Sequence, residues 1–253
     1  MSTPVYYALA ATVCTWMATA IGAASVVFFK GRRGLNVMVG FAAGVMIAAS
    51  FWSLLAPAIK NAQALGFKMP WLSVSFGFLF GTVFLFLSDR AVCALNQKKS
   101  ESRVFMLMLA MTLHNLPEGL AIGAAFGALK HAEPNEIYGA VMIALGIGLQ
   151  NIPEGAAISL PLRREGYSKW RSFLYGQASA LVEPIGGVIG ALLTAQAAYL
   201  APYALSFSAG AMILVAVHEL IPECQTNKEN YAATFGIVAG FVTMMIFDVA
   251  FGF

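Results

Sequence analysis

Charge is what this sequence has least of. Only 11% of its 253 residues are Asp, Glu, Lys or Arg, against 59% hydrophobic. Soluble domains carry about 25% charged residues, so a chain this poor in charge cannot cover a water-facing surface. The solvent it expects is lipid. The net charge of +3 is too small for a nucleic-acid binder, and no nucleic-acid partner is expected. Cysteine is scarce too: Cys14, Cys93 and Cys224 are odd in number and form no C-x-x-C pair. That argues against a disulfide framework and against a thiolate zinc site, and the three read as small apolar packing residues. No basic residue precedes the apolar stretch 5–29. A secretory signal needs a positive start and a shorter core, so this stretch reads as a retained first membrane helix. No long linker or separate soluble domain interrupts the chain. The longest polar loop, 89–103, carries no histidine repeat that would mark a metal-collecting tract.

Long apolar runs, by contrast, are abundant. About 20 apolar residues cross the hydrocarbon core, and eight such segments follow one another: 5–29, 35–59, 70–94, 104–129, 136–161, 171–195, 200–223 and 231–252. The expected fold is all-α and polytopic, one transmembrane unit over 1–253. The basic residues then sort by loop. Lys30, Arg32, Arg33, Arg90, Lys98, Lys99, Arg103, Arg163, Arg164, Lys169, Arg171 and Lys228 fall in odd-numbered loops, leaving only Lys60, Lys68 and Lys130 for the even ones. The positive-inside rule places the odd loops in the cytoplasm and both termini on the outer side.

The acids are distributed differently. Glu101, Glu133, Glu136, Glu165 and Glu229 lie in loops, while Glu118, Glu154, Glu183 and Glu219 lie within spans. Asp89, Glu223 and Asp248 lie near span ends, where Glu223 and Asp248 read as interfacial. A charge at the bilayer centre costs at least ~2.5 kcal/mol, and no Lys or Arg is available at that depth. A metal cation or protons must balance these carboxylates.

Their contexts repeat. His114-Asn115-Leu116-Pro117-Glu118-Gly119 and Gln150-Asn151-Ile152-Pro153-Glu154-Gly155 are two copies of one pattern, 36 residues apart. Glu183-Pro184 and His218-Glu219-Leu220-Ile221-Pro222-Glu223 follow in spans six and seven. Residues i and i+4 share a helix face, so His114 points with Glu118 and Gln150 with Glu154. The intervening proline is expected to loosen the helix and free an upstream carbonyl. The glycine after each glutamate lets a neighbouring helix approach closely. At 1.5 Å per residue, His114, Gln150 and Glu183 each reach the middle of the bilayer. Imidazole, carboxylate and amide oxygen together suit a borderline cation such as zinc, with iron, manganese and cadmium also admitted.

Plainer readings exist for several of these residues. Asn115, Gln150 and Asn151 could serve only as interhelical amide bonds, Glu183 only as a proton relay, and His218 with Glu219 as an interfacial polar cap. An intramembrane metalloprotease would need H-E-x-x-H, and Pro222 stands where the second histidine belongs. A proton-driven carrier of a small solute would fit acids in mid-membrane but leaves the duplicated His/Glu sets unexplained. A metal channel or an exporter would use the same ligands as a carrier.

The motifs HNLPEG, QNIPEG and HELIPE resemble those of the ZIP (Zrt/Irt-like) family of divalent metal transporters, and the likeness covers nearly the whole chain. The segment 44–52, GVMIAASFW, and the glutamine opening the second motif are most similar to the bacterial GufA-like branch. The resemblance implies a multi-pass protein of a bacterial inner (plasma) membrane that is no enzyme and needs no organic cofactor. Its substrate would be zinc or another divalent transition metal, moved into the cytoplasm. It implies a binuclear site, with one position at His114, Glu118, Gln150 and Glu154. The second would be at Asn115, Asn151, Glu154 and Glu183, with Glu154 bridging. Asn151 stands where some relatives carry aspartate, which makes that second position less negative. It also implies an inner exit path at His218, Glu219 and Asp89, an elevator-like movement of the bundle of spans four and five, and a homodimer.

Overall fold

In hydrocarbon every backbone N–H and C=O must find its partner within the protein, which leaves helices and closed barrels as spanning structures. The computed structural model describes residues 3–28, 32–99, 103–129, 134–224 and 231–251, and all regular structure among them is helical. The helices are α1 (Thr3–Ala24), α2 (Arg32–Ala49), α3 (Ala56–Ala64), α4 (Pro70–Lys99), α5 (Arg103–Gly127) and α6 (Pro134–Arg164). They continue with α7 (Lys169–Ala178), α8 (Val182–Gln196), α9 (Ala201–Val215), α10 (Ile221–Cys224) and α11 (Tyr231–Phe251). Seven stretches among the described residues are long and apolar enough to span: Thr3–Val27, Asn36–Ala64, Pro70–Ala91, Glu136–Arg163, Lys169–Gln196, Ala198–Leu220 and Tyr231–Ala250. Helix α5, 25 residues long, matches the fourth expected span. The expected loop residues Lys30, Glu101, Lys130, His131, Glu133, Lys228 and Glu229 lie outside the described residues.

The helices associate in intimate pairs: α1 with α6, α2 with α11, α4 with α9, and α5 with α8. Lipid is as apolar as leucine, so close van der Waals packing rather than hydrophobic exclusion must hold such pairs together. Glycines at the crossings make it feasible. A Cβ on Gly123 would lie 2.2 Å from the Gly187 carbonyl oxygen, and one on Gly44 2.0 Å from that of Ile237. Spans built on α2, α6 and α9 are mostly enclosed, whereas α1, α4 and α11 are at the rim. The rim faces carry Phe76, Phe80, Phe86, Phe235 and Val249 outward, as a lipid-facing surface requires.

Helical regularity breaks at places other than those expected. Both motif prolines, Pro117 and Pro153, sit inside helices that run unbroken through them. Among the described residues the irregular turns are 3-10 at Ser25–Val27, Ser179–Leu181 and Ala198–Leu200, and π at Ser50–Leu55 and Ala216–Leu220. A π turn holds an extra residue and rotates whatever follows it, and such turns concentrate at functional positions. The turn at Ser179–Leu181 lies just before the buried Glu183, and the one at Ala216–Leu220 contains the partly exposed Glu219.

Candidate metal centre

The two motif copies face each other. Helix α5 presents His114, Asn115 and Glu118, and α6 presents Gln150, Asn151 and Glu154. Glu183 enters from the first turn of α8, just after the 3-10 turn. All seven are buried, the most exposed being His114 at 2%. The glycine expectation holds in atomic detail. A Cβ on Gly119 would stand 2.3 Å from the Glu183 carbonyl oxygen, and one on Gly155 2.1 Å from that of Thr19. The absent side chains are what bring α8 against α5, and α1 against α6, at the level of the acids.

The side chains then divide into two groups. In the first, the Gln150 amide Nε2 donates to Glu118 Oε1 at 2.6 Å. His114 Nε2 lies 3.2 Å from Glu219 Oε1. What remains is a set of buried atoms with no hydrogen-bond partner: His114 Nδ1, Glu118 Oε2, Gln150 Oε1 and both oxygens of Glu154. In the second group, Glu183 is engaged at both oxygens. The Thr15 hydroxyl donates to Oε2, and the Asn151 amide donates to Oε1 at 2.9 Å. The same Asn151 Nδ2 also reaches the Thr15 carbonyl at 3.2 Å. Asn115, beside His114 in the first motif copy, has neither amide atom paired, and Asn151 Oδ1 is unpaired as well.

An unpaired buried polar atom forfeits its full hydration without return, at about 1–3 kcal/mol and more when charged. Five such atoms drawn from three side-chain chemistries are therefore not an ordinary polar contact between helices. They are the nitrogen and oxygen donors that a borderline divalent ion takes.

Toward the end of the bundle bearing the α6–α7 turn, a further trio forms. Donor atoms of Asp89, His114 and Glu219 all lie within 4.8 Å of one another. The π turn Ala216–Leu220 carries Glu219 there, and its side chain keeps 27% of its surface exposed. His218, its neighbour, is exposed and stands outside that trio. His114 thus belongs to both groups of donors.

At the opposite end lies a cavity of about 280 Å³, lined among others by Trp52, Lys60, Asn61, Glu136, Met142 and Asp248. Asp248, read from the sequence as interfacial, is packed inside the protein near the end of the last span. It is 7% exposed, and Ser53, in the π turn of the second span, donates to its Oδ1 at 2.8 Å. Its place near the end of the last span gave no sign of this, because the partner is 195 residues away.

Sequence reasoning missed Thr15. A signal was present: Thr12, Thr15 and Thr19 recur at helical spacing along one face of an otherwise apolar span. All three are buried.

A multi-pass helical bundle enclosing imidazole, carboxylate and amide donors at its centre, with open donors toward one end, defines an intramembrane metal-transport architecture. The comparisons with known proteins agree. The family model described as "ZIP Zinc transporter" matches residues 95–248. Human zinc transporter ZIP11 is 36% identical, covering 98% of this chain and 98% of that protein. Zinc transporter GufA of Myxococcus xanthus is 34% identical over 96% of this chain and 98% of its own length. Zinc transporter ZIPB of Bordetella bronchiseptica is 33% identical over 97% and 82%. The chain belongs to the ZIP family of metal transporters, as a multi-pass protein of the plasma membrane.

Proposed function

We propose that this chain, acting as one transport unit over 1–253, carries divalent transition-metal ions into the cytoplasm, zinc first among them. The observation that supports this most is the set of five buried, unpartnered donor atoms on His114, Glu118, Gln150 and Glu154. A small organic solute would need apolar walls and few charges, whereas these walls are carboxylate and imidazole. A dehydrated dication gains from carboxylates what it loses from water, and it relieves their mutual repulsion in a low-dielectric site. The printed names of the relatives support zinc as the ion.

The proposed path runs from the outer side to the cytoplasm. The concentration of basic residues in the odd-numbered loops puts the α6–α7 turn in the cytoplasm and both termini outside. The cavity with Ser53 and Asp248 is then the outer approach. An ion moves from it along α5 and α6 to the central donors, and leaves past Asp89 and Glu219. His114 serves both the central donors and the exit trio, so an ion can transfer without becoming uncoordinated. His218 is exposed beside this path and stands outside the trio of donors. Asn115, Asn151 and Glu183 adjoin the central donors on the α1–α8 side. No reaction is catalysed and no organic cofactor takes part. A homodimer is the assembly expected in the bilayer.

The test is zinc uptake by purified protein in sealed liposomes carrying an interior metal-sensing dye. The wild type is expected to load the vesicles, and the Glu154→Ala variant, folded in normal yield, is not. Wild-type protein that moves none of zinc, iron, manganese or cadmium under any gradient would remove the reading and favour a proton-coupled solute carrier.

A further inference from the structure

The two halves of the buried cluster differ in a way that the duplicated motif does not suggest. Unpaired atoms occur around both halves, five on His114, Glu118, Gln150 and Glu154 and one, Oδ1, on Asn151. Around the second, the carboxylate of Glu183 already accepts one hydrogen bond on each oxygen, from Thr15 and from Asn151. The orientation of Asn151 is fixed by its surroundings. Its Nδ2 faces two acceptors, Glu183 Oε1 and the Thr15 carbonyl, and the reversed amide would set oxygen against oxygen at both. Asn151 therefore meets Glu183 as a hydrogen-bond donor and cannot share a cation with it along that edge.

Charge points the same way. The cluster contains three buried glutamates, Glu118, Glu154 and Glu183, and no buried aspartate. One divalent ion matches Glu118 and Glu154, leaving Glu183 as a single carboxylate held by hydroxyl and amide donors. Two divalent ions would leave an imbalance of the same size but opposite sign, whereas with one ion the unmatched charge falls on Glu183, where the Thr15 and Asn151 donors already receive it. An uncompensated charge in a water-poor interior is strongly unfavourable.

We infer that the central cluster seats one divalent ion at a time, and that Thr15, Asn151 and Glu183 form a hydrogen-bonded latch joining α1, α6 and α8 instead of a second metal position. The inference rests on the metal-carrier reading above and specifies its stoichiometry. Thr15 and Asn151 are positioning residues in it. They hold Glu183 away from the ion and keep the three helices in register beside it. Asn151→Asp should break the latch. It withdraws the donated hydrogen bond and sets two carboxylates within about 3 Å of each other, a placement that only a shared proton or cation relieves. It also raises the acid count to match two dications.

The experiment measures zinc bound per chain in lipid nanodiscs, by equilibrium dialysis and elemental analysis, for the wild type, Glu183→Gln, Asn151→Asp and the double variant. Comparing variants cancels any zinc held at the exit trio. The expected result is that Glu183→Gln leaves the wild-type number unchanged and Asn151→Asp raises it by one. Glu183→Gln in the N151D background should then return it to the starting value. X-ray absorption on the same samples should show zinc–zinc scattering at roughly 3.5–4 Å, the spacing of two-metal sites, only in the N151D variant. Loss of one zinc from the wild type on Glu183→Gln, or a zinc–zinc vector in the wild type, would overturn the inference while leaving metal transport intact. If N151D fails to fold, those two wild-type comparisons still decide. Wild-type protein that neither binds nor transports metal would end both readings.

Discussion

The two motif copies begin from nearly the same sequence and end in different chemistry. Around His114, Glu118, Gln150 and Glu154, donor atoms are left without partners, at a cost the fold must offset elsewhere. Around Asn151 and Glu183, a span-one hydroxyl and an amide satisfy the carboxylate. The difference comes from the neighbouring helix rather than from the motif. Where the cluster faces α4 and the π turn after α9, it meets other acids. Where it faces α1, it meets threonines. In the proposed transport cycle the unsatisfied ligands are where an ion is exchanged, and the satisfied ones are where the frame is held.

Substitutions should separate the two regions, in decreasing order of effect. Glu154→Ala removes two of the five open donor atoms. Zinc uptake in liposomes should fall by more than about 100-fold, since even outer-shell changes lower metal affinity 10- to 100-fold. A fall below tenfold would mean that the open half is not the ion's seat. Gly155→Ala forces a Cβ to within 2.1 Å of the Thr19 carbonyl. It should cost ~3 kcal/mol of stability, the upper end for overpacking, seen as a lowered unfolding midpoint in detergent. An unchanged midpoint would show that α1 and α6 can separate freely at the latch. Thr15→Val removes one hydroxyl at nearly constant volume and should cost ~1.5 kcal/mol, the lower figure for a hydrogen bond to a charged group. Zinc affinity should change less than stability does. The reverse order would place Thr15 with the open half. Asp248→Asn weakens the outer cavity's attraction for cations. It should raise the apparent KM for zinc about two- to fivefold, with the effect shrinking as salt is added. Salt-independent loss of the maximal rate would instead assign Asp248 a structural role through Ser53.

Much of this was legible before any coordinates. The eight spans sit within a few residues of their expected places, because hydrocarbon thickness sets the length of an apolar run and loops concentrate the charge. The role of Gly119 and Gly155 was readable from position alone. The prolines do not interrupt their helices: Pro117 and Pro153 lie inside continuous ones, while the irregular turns among the described residues occur at 25–27, 50–55, 179–181, 198–200 and 216–220. Proline signals lost hydrogen bonds locally, but a π or 3-10 turn is chosen by packing among neighbours, and no single residue type announces it.

The sequence alone determined that the chain spans a membrane, how often it does so, and which acids and imidazole lie at mid-depth. Those properties follow from hydropathy, helical rise and the cost of a charge in lipid, all local or additive along the chain. Only the tertiary structure decided which donors pair and which remain open. It set His114 against Glu219, 105 residues later in the chain, and Ser53 against Asp248. It also brought Thr15 to Glu183 across 168 residues. Such partnerships depend on which helices cross and at what depth. The glycine-mediated contacts between spans fix that arrangement, and no periodicity within one span can report it.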